Sequence, residues 1–370
     1  MQKVYVHKSN LITALGFSVE ENFSALCDGK SGIRPIPFSK SIGTIYASKI
    51  EDSLLENLFN SLNIPKEYTR VEKLMIATLK PLIEKYGIKP NTLLVVSTTK
   101  GNIGALEQRN VEAAHLSVSA KKVQAYFRFQ KTPIIVSNAC VSGVVALSVA
   151  KRLIQMEQTT DVFVVAVDEL TSFVISGFQS FQAMSHEVCQ PYDENRKGVN
   201  LGEASAAVYV SNQKNEDGIE IIGEANINDA NHISGPSRTG EGLYLSIEKA
   251  LNEAQIEAKE IDFISAHGTA TLYNDEMESI AFQRANLLQV PMNSLKGYFG
   301  HTLGASGLLE SIITWQCMKK NVYLPSFGFQ TLGVSQPINI IQKVTEKPMQ
   351  IALKTASGFG GSNSAMIFKK

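Results

Sequence analysis

The stretch IVSNACVSGVVAL, residues 135–147, joins an apolar, strand-like run to an apolar, helix-like run through a short turn that carries Cys140. A residue at such a strand-to-helix turn points into the crevice beyond the carboxyl end of the strand. At the start of a helix, its thiolate would also be stabilised by the helix dipole, which lowers the pKa of the thiol. The stretch therefore predicts an α/β fold with an activated nucleophile at Cys140. Taken alone, a cysteine is more often a small buried hydrophobe, and that alternative stays open at this point.

Short apolar runs rich in Val and Ile alternate with helix-like stretches along the chain. Runs of this kind are typical of strands in sheets that are covered on both faces. The predicted strands are 92–98, 133–137, 161–167, 206–211, 219–227, 261–266, 351–356 and 364–368. The predicted helices are 70–85, 143–156, 241–254 and 304–319. The alternation predicts layered sheets and helices, with the polar stretch 211–218 as a surface turn that links two halves.

Composition limits the possible functions. The chain has 370 residues, of which 44% are hydrophobic and 19% are charged, and its 35 basic and 35 acidic residues give a formal net charge of zero. A zero balance argues against bulk affinity for nucleic acid. The first residues lack the charged head and long apolar core of a signal peptide, and no apolar run approaches the roughly 18–20 residues of a membrane helix. The expected location is the cytoplasm.

The cysteines predict neither a disulfide framework nor a metal site. They are Cys27, Cys140, Cys189 and Cys317, and none belongs to a CxxC pair or to a Cys/His cluster with zinc spacing. The sequence also lacks a P-loop and a dinucleotide-binding glycine motif after a strand. No metal, nucleotide or flavin is therefore expected.

Three further segments have the composition of a catalytic site: two carry a histidine next to glycines, and one is a glycine-rich turn. His267 follows the predicted strand 261–266 and precedes a glycine and two threonines, whereas His301 lies in a glycine-rich turn that also carries Lys296. The segment 357–368 begins with a Gly-Phe-Gly-Gly turn, whose backbone N–H groups can converge on a ligand oxygen. Each feature alone has an ordinary explanation, such as a hydrogen-bonded histidine or a tight turn. Their joint occurrence favours an active site.

The turns of the two halves resemble each other. Cys140 lies three residues before Gly143, and His301 lies three residues before Gly304, and each turn runs into an apolar helix. This short similarity suggests that the two halves of the chain arose by duplication.

The motifs resemble those of the β-ketoacyl-[acyl carrier protein] synthases, in order, from near the start of the chain to its end. The segments that carry the resemblance are NACVSG, PYDENRKGVNLGEASAAVYV, AHGTATLYND, LKGYFGHTLGASG and GFGGSN. They are similar to the Cys-His-His elongating class rather than to the Cys-His-Asn initiating class. The resemblance implies a thiolase-like, five-layered αβαβα fold built from two pseudo-twofold-related halves. These would be residues 1–215, with the nucleophilic cysteine, and residues 216–370, with both catalytic histidines.

The resemblance also implies a reaction and its partners. The reaction is a decarboxylative Claisen condensation of an acyl thioester with malonyl-acyl carrier protein, in fatty-acid or specialised lipid and polyene biosynthesis. The substrates would be carried on the phosphopantetheine of an acyl carrier protein, so no free cofactor is expected. The family also implies a dimer, either a homodimer or a heterodimer with a ketosynthase-like subunit.

The resemblance assigns a role to each candidate residue. Cys140 would be acylated, and its backbone N–H would form the oxyanion hole together with that of Phe359, which would also gate the entry of the second substrate. The other implied roles are decarboxylation by His267 and His301, orientation of His301 and the waters around it by Lys296 and Glu310, and pantetheine binding by Thr269 and Thr271. A basic cluster could dock the acidic carrier or could simply be a solvated face; it consists of Lys121, Lys122, Arg128 and Lys131.

Two departures from the family pattern bear on specificity. The region after the predicted strand 92–98, which usually borders the acyl pocket in the family, carries Thr98-Thr99-Lys100 in place of a Gly-rich stretch. Tyr273-Asn274 follows the HGTxT motif. These departures favour a specialised synthase over a housekeeping fatty-acid enzyme.

Two alternatives come from other functional classes. A non-catalytic, chain-length-determining partner of a ketosynthase would resemble the family, but such subunits usually lack the cysteine that this chain retains. A thiolase would need a second cysteine near the C-terminal end as its base, and SGFGGSN contains none.

Overall fold

The computed structural model describes residues 2–215, 218–229 and 235–370, in which strands and helices alternate. Up to Ser211 the strands are β1 (Tyr5–Ile12), β2 (Arg34–Ser39), β3 (Gly43–Ser48), β4 (Leu93–Ser97), β5 (Ile134–Val136), β6 (Asp161–Asp168), β7 (Leu201–Gly202) and β8 (Ala204–Ser211). The helices of this half are α1 (Val19–Cys27), α2 (Asp52–Ser61), α3 (Arg70–Tyr86), α4 (Val111–Ala114), α5 (Leu116–Phe127), α6 (Ser142–Gln155) and α7 (Ser172–Ser180).

The second half continues the alternation. Its strands are β9 (Ile219–Asn228), β10 (Phe263–Ser265), β11 (Met292–Asn293), β12 (Val322–Tyr323), β13 (Thr345–Glu346), β14 (Ile351–Gly358) and β15 (Ser362–Lys369). Its helices are α8 (Glu241–Ala254), α9 (Leu272–Arg284), α10 (Lys296–Phe299) and α11 (Ser306–Lys320). The predicted strands and helices are confirmed, with only small shifts at their ends. The predicted linking turn 211–218 includes residues 216 and 217, which lie outside the described residues, so it stays a prediction.

Ten strands form one mixed sheet in the order β11-β10-β14-β15-β9-β1-β8-β6-β4-β5. Each half contributes five of them, and in both halves their order is third, second, fourth, fifth, first. In both halves the fifth strand is antiparallel to its two neighbours, and the other pairings are parallel. The halves join where Tyr5 pairs with Glu220 and Val6 with Ile219. The repeated topology supports the predicted duplication, whereas a boundary between residues 215 and 216 stays a prediction.

Three groups of buried apolar side chains show how the layers stack. The central group combines α6 and α11 with strand residues of both halves. A second group packs α3 and α5 against the other face of the first five strands, and a third packs α8 and α9 against the other face of the second five. When the two five-stranded halves of the sheet are counted as separate layers, the order is helix, sheet, helix, sheet, helix, as the predicted αβαβα fold requires. Covering both faces of a sheet explains why all eight residues of β6 are buried.

The two central helices approach each other at glycines. A Cβ atom on Gly307 would lie 2.7 Å from the backbone nitrogen of Val144, and a Cβ atom on Gly143 would lie closer still to α11. Only glycine permits this approach, because a Cβ atom does not come so near to a nonbonded backbone nitrogen. Since α6 follows the turn of Cys140 and α11 follows the turn of His301, the glycine contact brings the two turns side by side.

Candidate active site

Cys140 lies in a sharp turn between β5, which ends at Val136, and α6. Ala139 has a left-handed backbone with a φ of 43°, which costs energy for a residue with a Cβ atom. The hydroxyl of Ser142 closes the turn, because it accepts from the backbone N–H of Asn138 at 2.7 Å and donates to the carbonyl of Ala139 at 2.6 Å. Cys140 is therefore held in place, with 7% of its surface exposed.

The thiol of Cys140 is protonated at neutral pH. Burial raises its pKa to about 11, although the charges of Lys296 and Lys100 and the backbone N–H of Phe359 act in the opposite direction. The expectation that the helix terminus lowers this pKa is wrong. The helix begins only at Ser142, and the loss of solvation around a buried sulfur destabilises the thiolate more than the nearby helix end stabilises it. The sulfur therefore starts the reaction as a thiol.

His301 is held in one tautomer by the turn that follows it. The backbone N–H of Leu303 donates to Nδ1 of His301 at 3.2 Å, and Oγ of Ser306 lies 3.0 Å from the same atom. An amide N–H can only donate, so Nδ1 carries no proton and the proton of the neutral ring is on Nε2. Burial, followed by the charge of Lys296, holds the pKa of His301 well below its ordinary value. His301 therefore offers an Nε2–H donor.

The resemblance implies that Lys296 orients His301, but among the described residues its ammonium contacts His267 and forms no hydrogen bond with His301. This contact fixes the tautomer of His267. The ammonium of Lys296 lies 3.4 Å from Nδ1 of His267 and donates to the His267 carbonyl oxygen at 2.9 Å. Since an ammonium can only donate, Nδ1 is again the acceptor and Nε2 carries the proton. Burial and the charge of Lys296 hold the pKa of His267 well below its ordinary value. The centroids of the two imidazole rings are 5.4 Å apart, so the two donors lie close together.

A buried charge network fixes the position of Lys296. Its ammonium donates to Oε1 of Glu310 at 2.6 Å, and the ammonium of Lys354 lies 2.6 Å from Oε2 of the same carboxylate. Although burial opposes ionisation, the two ammonium groups hold the pKa of Glu310 below its ordinary value. Lys354, on β14, also donates to the carbonyl oxygen of Thr355 at 2.7 Å. Sequence reasoning found Lys296 and Glu310 but missed Lys354, because it lies in an apolar strand.

Two carboxylates that sequence reasoning missed support the loop of His267. Glu278 accepts the backbone N–H groups of His267 and Gly268 at 2.9 and 2.6 Å and the hydroxyl of Tyr192 at 3.0 Å. Asp275 accepts the backbone N–H of Tyr192 at 2.7 Å. Their spacing of three residues on α9 places both carboxylates on one face of the helix, and this was the signal available in the sequence.

A third missed carboxylate joins the two halves near Cys140. Asp168, at the end of β6, accepts from the hydroxyl of Thr98 at 2.8 Å, from the backbone N–H of Thr99 at 3.0 Å and from that of Gly304 at 2.7 Å. Gly304 lies three residues after His301. Asp168 therefore ties the end of β4 to the turn that positions His301.

Cys140, His267 and His301 line a single cavity of about 490 Å³. Thr269 and Thr271 line it as well, and their hydroxyl oxygens are 2.8 Å apart. The cavity thus brings together the three side chains that the motifs single out with the two threonines that the resemblance assigns to pantetheine.

Phe359 forms an aromatic wall of this cavity. Phe359 is 37% exposed, and the centroid of its ring lies 5.9 Å from that of Phe178 and 5.4 Å from that of Phe181. The preceding residue is Gly358, where a Cβ atom would lie only 3.0 Å from the backbone nitrogen of Cys140. The absence of a side chain at position 358 leaves space in front of the amide that would stabilise an oxyanion.

The predicted basic cluster lies elsewhere on the described surface. The described residues that line the cavity include none of its four members, and Lys122 forms an ion pair with the buried Glu72 at 3.2 Å. That these residues contact a carrier protein stays a prediction.

Residues 2–215, 218–229 and 235–370 contain no group of three or more His, Cys, Asp or Glu side chains arranged to hold a metal ion. Over the same residues, every helix is too short or too polar to cross a membrane.

Comparison with known proteins gives matches along most of the chain. Residues 2–216 match the family model described as Beta-ketoacyl synthase, N-terminal domain, and residues 219–330 match Beta-ketoacyl synthase, C-terminal domain. The 3-oxoacyl-[acyl-carrier-protein] synthase 2 of Rhizobium meliloti is 30% identical over 274 residues, which cover 69% of this chain and 65% of the relative. The enzyme of the same name from Vibrio cholerae is 25% identical, with 100% of this chain and 99% of the relative covered.

A solved structure shows the same fold. A ketosynthase in complex with its chain length factor, from Xenorhabdus doucetiae, superposes with a TM-score of 0.86 at 24% identity, and the match covers 100% of this chain and 98% of that chain. This likeness confirms the predicted thiolase-like fold class.

Proposed function

The chain belongs to the β-ketoacyl synthase family, and from that premise we propose that it is a 3-oxoacyl-[acyl-carrier-protein] synthase in which Cys140, His267 and His301 share the chemistry. It is then an acyltransferase that extends an acyl chain by condensation with a malonyl thioester. The observation that carries the proposal is the common cavity, which is lined by one thiol and by two neutral imidazoles whose protons are on Nε2.

The first half-reaction loads the acyl group onto Cys140. The sulfur attacks the thioester carbonyl, the C–S bond to the pantetheine arm breaks, and the thiol proton ends on the departing pantetheine sulfur. The backbone N–H groups of Cys140 and Phe359 stabilise the oxyanion that forms on the way. Because the pKa of the thiol is about 11, this stabilisation is needed at neutral pH, where very little thiolate is present.

The second half-reaction uses the two imidazoles. The carbonyl oxygen of a malonyl thioester accepts from Nε2–H of His267 and of His301 while carbon dioxide leaves. The negative charge that grows on this oxygen is stabilised by donors that are already in place. The carbanion then attacks the acyl group on Cys140, the C–S bond to Cys140 breaks, and a β-ketoacyl thioester results. The sulfur leaves as a thiolate and takes up a proton from water, which restores the thiol. Two donors that are neutral do not need to transfer a proton to act in this step.

The remaining residues position these groups. Lys296, held by Glu310, orients His267 and fixes its tautomer. The hydroxyls of Thr269 and Thr271 bind the pantetheine arm where it passes along the cavity, and Phe359 controls the entry of the second substrate. The chain uses no free cofactor in this scheme, because phosphopantetheine arrives with the carrier protein.

We infer a carrier protein and a second synthase-like subunit as partners. The names of the curated relatives include the acyl carrier protein, and the Xenorhabdus ketosynthase is bound to a chain length factor. Strand β5 is the last strand of the sheet order, and its apolar residues Ile134 and Ile135 are half-buried. An apolar edge strand of this kind favours pairing with another subunit. A homodimer and a heterodimer both fit this edge.

The alternative of a non-catalytic partner subunit finds no support in the site. A subunit without a condensing role has no need for Cys140 in a strained turn or for two histidines with fixed tautomers.

The test is acyl transfer to the protein itself. The purified chain is incubated with an acyl-loaded carrier protein and analysed by intact mass spectrometry. We expect a mass increase that corresponds to the acyl group, located on Cys140 by peptide mapping and absent in Cys140→Ala. Acylation of the Cys140→Ala variant to the same extent would contradict the proposal.

A further inference from the structure

Lys100 emerges from the sheet beside the turn of Cys140. Strands β4 and β5 are parallel neighbours in which Ser97 lies opposite Val136, so the segments that follow them leave the sheet together. The hydroxyl of Ser137 lies 3.4 Å from the carbonyl oxygen of Thr99, which shows that the two segments stay in contact beyond the strands. Lys100 is three residues past the end of β4, and Cys140 is four residues past the end of β5.

The ammonium of Lys100 is not directly paired with a carboxylate. Its side chain is half-buried, and its ammonium contacts the hydroxyl of Thr99 at 3.4 Å. In the part of the chain that the structure describes, it forms no ion pair with a carboxylate. The carboxylate of Asp168 lies beyond Thr99 and already accepts from Thr98, Thr99 and Gly304 and, at 3.4 Å, from the backbone N–H of Lys100. A partly desolvated ammonium without a directly paired anion is unfavourable, so the site is suited to receive one.

This charge acts on the reacting groups. Beside the larger effects of burial and of Lys296, Lys100 lowers the pKa of Cys140 and that of His301. An anion bound to Lys100 would therefore lie near the acylated sulfur.

The position of the cavity indicates which of the two substrates would carry an anionic group that binds Lys100. The described residues that line the cavity include Thr269, Thr271 and Phe359 but none between 97 and 104. The pantetheine arm and the extender thioester occupy this cavity in the proposed function. Lys100 lies on the β4–β5 side of the Cys140 turn. It is therefore placed to contact the acyl group on the sulfur rather than the pantetheine arm or the extender thioester.

We propose that Lys100 binds a carboxylate on the acyl chain attached to Cys140, so that the enzyme selects acyl groups that end in a carboxylate a few carbons from the thioester. The substrate class is the half-thioester of a short dicarboxylic acid. This inference rests on the proposed function, since it concerns the group that Cys140 accepts. It adds a specificity-determining residue to the site and changes no bond-making step.

The test compares two acyl groups of the same shape. Carrier protein loaded with glutaryl or with 5-methylhexanoyl is offered to the enzyme, and the rate of Cys140 acylation is followed by intact mass spectrometry. The wild type is expected to prefer glutaryl. Lys100→Met should lower the ratio of the glutaryl rate to the 5-methylhexanoyl rate by roughly 10- to 100-fold, as expected for the loss of a hydrogen bond between charged groups. Lys100→Arg should keep the preference.

The matched control is Lys249→Met, which removes an exposed lysine of α8 and should leave the ratio unchanged. An unchanged ratio in Lys100→Met would overturn the inference and leave the proposed function intact. The inference is also overturned if that variant loses decarboxylation of a malonyl thioester, since Lys100 would then hold the extender, or if it changes only the oligomeric state. If the wild type accepts neither acyl group nor any other, the proposed function fails and the inference fails with it.

Discussion

The backbone N–H of Leu303 donates to Nδ1 of His301 at 3.2 Å, and this contact determines which ring nitrogen carries the proton. The ammonium of Lys296 plays the corresponding part for His267. Two different groups, one from the backbone and one from a side chain, thus leave both imidazoles as Nε2–H donors. The arrangement suits an enzyme that stabilises an enolate without giving it a proton.

The first prediction concerns pH. The folded-state pKa values of both histidines are lowered, so the rings stay neutral as the pH falls through the ordinary histidine value of about 6.5. Decarboxylation of a malonyl thioester should therefore keep its rate down to a pH of about 5.5, provided that circular dichroism shows an intact fold. A loss of activity centred near the ordinary histidine value, in the folded enzyme, would show that the rings titrate normally.

The second prediction concerns the support of the His267 loop. Tyr192→Phe removes the hydroxyl that Glu278 accepts at 3.0 Å and leaves a buried carboxylate with one donor fewer. The free energy of unfolding in urea should fall by about 1–3 kcal/mol. Tyr244→Phe is the control, because that ring stacks on Arg284 and keeps its contact without the hydroxyl. Equal stability of the two variants would mean that the Tyr192 hydroxyl contributes nothing to the loop.

The third prediction concerns the glycine contact between the central helices. Gly143→Ala places a methyl group against the backbone of α11, and the helices must separate, so the free energy of unfolding should fall by about 1–3 kcal/mol and acylation should slow. Gly177→Ala is the matched control, since this helical glycine has no atom within 4 Å of an added Cβ. That change should be neutral or stabilising by about 0.5–1 kcal/mol. If Gly143→Ala behaved like Gly177→Ala, the close approach would not matter.

Much of the fold could be predicted because its signals are local. Apolar runs of strand length and their alternation with helical stretches predict the layers, and the similarity between the turns of Cys140 and His301 corresponds to a topology repeated in both halves. The shared cavity of Cys140, His267 and His301 also agrees with the motifs. The pairing of β1 with β9, which joins the halves, could not be predicted from the sequence of either strand.

The parts that sequence reasoning missed depend on burial and on distant partners. Lys354 lies in an apolar strand, and its partner Glu310 is 44 positions away in the chain, so neither residue alone predicts the pair. The pKa of Cys140 was predicted in the wrong direction for the same reason. A helix terminus can be recognised in a sequence, whereas the number of protein atoms around a sulfur cannot.

The proposed mechanism assigns acylation to Cys140 and decarboxylation to the imidazole donors. Both half-reactions can be followed in His301→Ala, with acylation measured by intact mass spectrometry and decarboxylation by carbon dioxide release. We expect that Cys140 is still acylated while carbon dioxide release falls by about 10²–10³-fold, as for the loss of one preorganised donor. Condensation by this variant at near the wild-type rate would contradict the assignment.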